Sequence, residues 1–228
     1  MKNQISIIIP VFNESRRINA TIDHLYYLDW NGDLEIIVVD GNTEGDTVNT
    51  ISRAGVKKII GEKSRGSQMN QGAAVANGDI LLFLHADTRL SHDALNQIVA
   101  ATKQHDVVGG AFDLGINSER KAFRAIELIA STRSRLTRIP CGDQAIFFKK
   151  RFFDQIGGYS NIPIMEDVEL MQRVKKAGKK IKIVSRKVQT ASRRWEKEGI
   201  VYCTLRNWSI RTLYLLGVPP EKLKKFYS

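Results

Sequence analysis

The sequence predicts an α/β fold built on a mostly parallel, Rossmann-like sheet with helices on both faces and a helical extension at the C-terminus. Three observations predict it. Short apolar runs alternate with helical patterns through the first half of the chain, as in repeated strand-helix units. The runs SIII, EIIVV and ILLFL are almost free of polar residues, which is expected of strands covered on both sides. Polar clusters follow the ends of these runs, where open parallel sheets place their ligand crevice.

The elements follow in order. Strands are expected at 5–10, 34–40, 57–60 and 80–84, each followed by a helix, at 15–28, 47–54, 67–77 and 91–103. Gly78 is placed to close one helix and Ser91 to open another, by C′ and N-cap chemistry. After residue 105 the regularity fades. An apolar, glycine-containing stretch covers 107–114, a basic helix 118–138 and a strand 144–148. A helix is expected at 167–177, a strand at 181–185 and a long terminal helix at 196–216. No repeat, low-complexity tract or linker divides the chain, so one domain over 1–228 is expected.

The 228 residues are 43% hydrophobic, enough for a substantial core. No apolar run reaches the roughly 18–20 residues of a membrane-spanning helix, and MKNQISIIIP lacks the apolar centre of a signal peptide. The expected compartment is therefore the cytoplasm. Cys141 and Cys203 are too few and too far apart for a disulfide framework or zinc knuckle, and read as reduced, structural thiols. The net charge of +11 divides unevenly, −5 over residues 1–119 and +16 over residues 120–228. Such a surplus attracts nucleic acid, anionic lipid or phosphorylated substrates, and charge alone does not choose among them.

Four stretches carry candidate chemistry. The loops Pro10-Val11-Phe12-Asn13-Glu14 and Val39-Asp40-Gly41-Asn42 leave the first two strands over the sheet edge, where Asp40 either accepts hydrogen bonds from a nucleoside or caps the turn. Lys63-Ser64-Arg65-Gly66 puts two cations before a helix start whose free N–H groups can meet phosphate. His85-Ala86-Asp87-Thr88 ends the fourth strand, with Asp87 as its carboxylate. Glu166-Asp167-Val168-Glu169 sets three carboxylates at a helix entrance, denser than capping requires, and adjacent like charges raise at least one pKa toward a general base's range. Upstream, Gly142 and Asp143 lead into a strand, with Gly142 admitting close approach of a ligand.

Taken in order, PVFNE, VVDGN, HADT, GDQAIFF, GGY and MEDVEL resemble the family 2 nucleotide-sugar glycosyltransferases. The resemblance covers most of the chain up to about residue 177. It implies a GT-A fold, a nucleotide-diphosphate sugar donor that is UDP- or GDP-linked, a divalent metal, and inversion at the anomeric carbon. It assigns 1–105 as the nucleotide-binding half, 106–195 as the acceptor and catalytic half, and 196–228 as the C-terminal helix. Carried over by position, it places Pro10, Asn13, Glu14, Asp40, Lys63, Arg65, Ala86, Gly142 and Asp143 around the nucleotide sugar. Asp87 becomes the metal-binding carboxylate, and Asp167, with Glu166 beside it, the base that deprotonates an acceptor hydroxyl. The acceptor is a small molecule or a lipid-linked glycan. His85 stands where the family usually has an acid; as a metal ligand it favours Mn²⁺ over Mg²⁺.

Ser192-Arg193-Arg194-Trp195 resembles the family's RW element without its preceding glutamine, which places Arg194 and Trp195 near acceptor and diphosphate. The helix after it packs on the core or lies on an anionic membrane surface. The RRWEK and YLLGV stretches resemble a bacterial subfamily of arsenosugar-biosynthesis-type transferases. Three rival readings fit the residues less well. An aspartate-nucleophile phosphatase needs a carboxylate where His85 stands. A nucleotidyltransferase on a related fold needs a Gly- and Arg-rich loop after the first strand. A basic nucleic-acid-binding module needs aromatics interleaved with its cations, so no specific nucleic acid is expected.

Overall fold

A computed structural model of the chain describes residues 4–227. Its first half runs β1 (Gln4–Val11), α1 (Ile18–Tyr26), β2 (Asp33–Asp40), β3 (Lys57–Ile60), α2 (Arg65–Ala74), β4 (Ile80–Phe83), β5 (Thr88–Arg89) and α3 (Ala94–Thr102). The second runs β6 (Val107–Asn117), α4 (Lys121–Thr137), β7 (Phe147–Lys149), α5 (Lys150–Gln155), α6 (Glu166–Lys176), β8 (Lys180–Ala191), α7 (Arg193–Glu198), α8 (Ile200–Leu215) and α9 (Pro220–Lys224). All strands join one sheet, in the order β3-β2-β1-β4-β7-β6-β8-β5. Strands β1 to β4 pair in parallel and β6 pairs in parallel with β8, while β7 runs antiparallel between β4 and β6.

The expected two-sided burial is present. Ile7 and Ile9 of β1 pack with Ile18, Ile22 and Leu25 of α1 and Ile98 of α3. Ile8 points the other way, into Met69 and Ala73 of α2 and Val168 and Met171 of α6. Successive residues of a strand face opposite sides, so a run buried on both sides must be apolar at every position.

Several elements differ from the sequence reading. The helix expected at 47–54 is a single 3₁₀ turn, Val48–Thr50: the Asp40 carboxylate caps its first N–H groups, but the backbone turns extended at Ile51, whose carbonyl accepts from Lys58 Nζ. Gly78 caps no helix, since α2 ends at Ala74; a side chain there would meet the Ser6 backbone nitrogen at 2.6 Å, so glycine is needed for close packing on β1. Asp93, rather than Ser91, is the N-cap of α3. The long terminal helix is broken at Gly199, whose φ of +91° favours glycine. β8 runs to Ala191, six residues past the strand expected at 181–185; exposed Ser185, Arg186 and Lys187 interrupt the apolar pattern there. The two-residue β5 and the short α5 carried no periodic signal.

The sheet is tightest where β6 passes between β7 and β8. A Cβ on Gly110 would collide with the Lys182 carbonyl oxygen and Phe147 ring, and one on Gly109 with the Phe147 carbonyl oxygen. Two backbone atoms leave no flexible side chain to yield. Gly110→Ala is expected to destabilise the chain by about 3 kcal/mol, roughly 6–12 °C in Tm for a chain of this size, measured by thermal unfolding; an unchanged Tm would contradict the packing.

Candidate active site

The ends of β1, β2 and β4 lie side by side, with Val11 registered on Asp40, and the polar loops project from this edge. Asp40 is fully buried. Its Oδ2 accepts from Thr47 N at 2.7 Å and Val48 N at 3.2 Å, and its Oδ1 from Asn42 N at 3.0 Å. Asp40, which the resemblance places at the nucleoside, folds this loop, and Asn42 and Asn13 stand on it, with Asn42 Nδ2 donating to Asn13 Oδ1 at 3.3 Å. Asn13 adopts a φ of +58°, which Asn tolerates better than most residues. Gln68, unmarked in the sequence, ties the edge together by donating to the Val11 and Val39 carbonyls at 2.8 and 2.7 Å. Pro10 is half-buried at the strand end, and Lys63 Nζ sits 4.0 Å over the Phe12 ring.

Beyond β4 the side chains alternate. Ala86 is buried in the core shared with α1 and α3, and its carbonyl accepts from the Thr21 hydroxyl at 2.6 Å. Ala86, which the resemblance places at the nucleotide sugar, spaces His85 from Asp87, and these two line the cavity. Burial, and then the nearby Glu14 carboxylate, push the Asp87 pKa up, with Arg193 opposing them. Arg193 stands 3.3 Å from Glu14 and 4.0 Å from Asp87, linking the two loops from the far end of the sequence. Burial, helped by the Arg65 charge, lowers the His85 pKa to about 3, so the imidazole is neutral at physiological pH and can ligate a cation. Gly142 admits that ring: an added Cβ would lie 3.0 Å from His85 Nε2. The close approach foreseen at Gly142 is made by His85.

The three carboxylates of the MEDVEL segment separate by partner. Glu169 pairs with Arg173 at 2.7 Å. Glu166 is buried and faces Arg65 at 3.5 Å; burial raises its pKa against the pull of Arg65, with Asp167 adding to the rise. The raised carboxyl foreseen in this cluster thus includes Glu166. Among the described residues Asp167 has backbone partners only, Gly142 N–H at 2.6 Å on Oδ2 and Val168 N–H at 2.7 Å on Oδ1. Met165, with a φ of +66°, turns the chain so that both acids start α6. The Gly142 turn is fixed by buried Gln144, whose Oε1 accepts from Cys141 N and Ser134 Oγ and whose Nε2 donates to the Phe112 carbonyl. Burial lifts the Asp143 pKa to about 6, with Arg133 opposing.

A cavity of about 500 Å³ gathers Arg65, His85, Asp87, Gly142, Asp143, Glu166, Asp167, Arg194 and Trp195. Pro10, Asn13, Glu14, Asp40, Lys63 and Ala86 do not line it; all but Ala86 belong to the adjoining loop edge. Arg194 is already engaged, by Glu198 at 3.3 Å and by the Tyr227 carbonyl at 2.9 Å. Arg133, Arg211, Thr204, Asn207 and Trp208 complete the wall without having been marked in the sequence.

This order of motifs on this sheet matches a known family. Residues 6–161 fit the family model described as glycosyl transferase family 2. The chain belongs to that family. It is 28% identical to the probable glycosyltransferase YdaM of Bacillus subtilis strain 168, over 94% of this chain and 55% of that protein. It is 31% identical to a PGL/p-HBAD biosynthesis glycosyltransferase of Mycobacterium bovis, over 68% of this chain and 62% of that one. The chain thus spans between half and two thirds of these relatives. The mannosyltransferase PcManGT from Pyrobaculum calidifontis, solved with GDP-Man and Mn²⁺, superposes with a TM-score of 0.66 at 19% identity, over 93% of this chain and 61% of that chain. S. aureus TarS 1–349 gives 0.64 at 17%, over 84% and 61%. The fold of this family 2 member is GT-A, as the resemblance implied.

Proposed function

We propose that this chain transfers a glycosyl group from a UDP- or GDP-linked sugar to an acceptor hydroxyl by a single inverting displacement. The observation that carries the reading is Asp167, a carboxylate whose partners among the described residues are backbone N–H groups, and which lines the cavity that also holds Asp87 and His85. The acceptor oxygen attacks the anomeric carbon as its proton passes to Asp167. The bond from that carbon to the diphosphate breaks, and the nucleoside diphosphate leaves with the bonding electrons. Attack and departure on opposite faces invert the centre.

Among the described residues no three His, Cys, Asp or Glu side chains converge on one point. Asp87 and His85 suit a divalent ion that takes its remaining ligands from diphosphate and water, and the neutral imidazole favours Mn²⁺. When bound, such an ion neutralises charge on the leaving diphosphate. Asn13, Glu14 and the Asn42 loop hold the nucleoside, with Pro10 and Lys63 at the same edge. Arg65 and Asp143 line the sugar-diphosphate side.

The chain's place in the cell is part of the same proposal. It acts from the cytoplasm, with α8 and α9 resting on an anionic membrane surface, a reading supported by exposed Val201, Tyr202, Leu205, Leu216 and Phe226 beside a half of charge +16. Among the described residues no helix is long and apolar enough to cross a membrane.

A thermal-shift screen of nucleoside diphosphates with Mn²⁺ or Mg²⁺ tests the donor reading. A ligand at a hundred times its Kd stabilises by about 2.7 kcal/mol, roughly 5–10 °C here. UDP or GDP is expected to give this shift, more with Mn²⁺. No shift from any nucleoside diphosphate at millimolar concentration would reject the reading.

A further inference from the structure

The cavity extends past Asp167 to a wall made by α4, α7 and α8, and this wall holds buried polar atoms without partners. Arg133 Nε, Trp195 Nε1, Thr204 Oγ1 and Asn207 Oδ1 make no hydrogen bond among the described residues, and all four side chains line the cavity. Buried polar groups in native proteins are nearly always satisfied, so such a cluster on one wall points to a ligand that satisfies it.

Charge sharpens the chemistry. Arg133 Nη2 and Arg211 Nη1 both point at Cys141 Sγ, at 3.3 and 2.9 Å. Burial pushes that thiol's pKa up to about 11 even beside two guanidinium groups, so a neutral thiol sits between two cations. Other arginines of α4 have carboxylates: Arg124 pairs with Glu127 at 3.0 Å and Arg135 with Asp113 at 2.6 Å. Asp143 is felt by both Arg133 and Arg211, yet no carboxylate lies within 4.0 Å of either among the described residues. Arg211 is only 7% exposed. A buried cation and a half-buried one, neither with a carboxylate within 4.0 Å among the described residues, suit an anionic ligand, and planar guanidinium groups match carboxylate and phosphate geometry.

We infer that this wall is the acceptor subsite and that the acceptor carries an oxyanion, a carboxylate or a phosphate, held by Arg133 and Arg211. Leu114, Ile126, Ala130 and Trp208 supply the apolar surface for the rest of the molecule. Arg133 and Arg211 meet at Cys141, next in sequence to the Gly142 that holds Asp167, and line the same cavity as that base, so an acceptor anchored there has its hydroxyl in the base's cavity. This role rests on the glycosyl-transfer reading.

Calorimetry on the full chain tests it, with UDP or GDP and Mn²⁺ as one ligand set and three hydroxyl probes as another: 4-(hydroxymethyl)benzoate, its neutral amide, and glycerol 3-phosphate. At least one anionic probe is expected to bind about tenfold or more tightly than the amide, the scale of a charge-assisted hydrogen bond, and the better anion identifies carboxylate or phosphate. Arg133→Gln, at a partly exposed position that retains the fold, is expected to abolish that preference and leave nucleotide affinity unchanged. Arg211→Lys, checked for folding by circular dichroism, is expected to weaken it. Equal binding of acid and amide, or no binding of either anion, overturns the inference. So does a variant that loses nucleotide and keeps the probe, because the arginines would then serve the diphosphate. An anion preference in a wild type that binds no nucleoside diphosphate would leave the anion site standing and sink the glycosyl-transfer reading alone.

Discussion

Asp167→Asn is expected to lower glycosyl transfer by about 10²–10⁴-fold, the range a positioned general base supplies, and to leave the nucleotide-induced thermal shift intact. The amide oxygen of Asn can still accept from Gly142 N–H, where Asp167 Oδ2 now sits at 2.6 Å, so the turn beneath the site keeps its anchor. The side chain loses the ability to take a proton and the acceptor that Val168 N–H now meets at 2.7 Å. The effect therefore appears in kcat with the donor KM unchanged, the pattern of an interaction made in the transition state alone. Glu166→Gln is the control: it also removes a carboxylate from the same helix entrance, but one that is buried against Arg65 at 3.5 Å. It is expected to change stability more than turnover. Comparable turnover in the Asp167 variant and wild type would remove Asp167 from the role of base.

The parts of the site legible in the sequence are those whose signal is local. The strand-ending clusters at Asn13, Asp40, Asp87 and Asp167 stood out because an apolar run stops and polar residues begin at a place the fold makes useful. The first three lie at the ends of β1, β2 and β4, and Asp167 opens α6. Local pattern did not say which way each side chain turns. Ala86 goes into the core and Asp40 under its loop because alternation and backbone hydrogen bonds decide direction, and both depend on the neighbouring element. Long-range partners were not legible at all. Arg193 meets Glu14 from 179 residues away, and Arg133 meets Arg211 only through Cys141, because α4 and α8 are brought together by the core and by no motif. The helix expected at 47–54 stops for a related reason: Ile51 is extended and its carbonyl is taken by Lys58 Nζ, a partner outside the segment.

Asp87→Asn is expected to act in opposite directions on binding and on stability, which makes it the sharpest test of the metal reading. Without ligands, Asp87 is a carboxylate that burial and the Glu14 charge both disfavour, relieved only in part by Arg193 at 4.0 Å. Its folded-state pKa lies above its unfolded value, so the ionised group penalises the folded state once pH exceeds the unfolded pKa; the penalty grows to its full size above the folded pKa. The penalty vanishes below both values, where the group is protonated in either state. The neutral amide removes it, and Arg193 keeps its contact with Glu14 at 3.3 Å. Thermal unfolding of the unliganded variant is therefore expected to show a higher Tm than wild type at pH 7 and the same Tm at pH 3. Active sites commonly hold such destabilising charge because function requires it. A cation at Asp87 would turn the same charge into binding energy, so the Mn²⁺-dependent part of UDP or GDP affinity is expected to fall by at least about tenfold, 1.4 kcal/mol, in calorimetry. A variant that gains stability yet binds nucleotide and Mn²⁺ as tightly as wild type would show that Asp87 is crowded for some other reason and holds no metal.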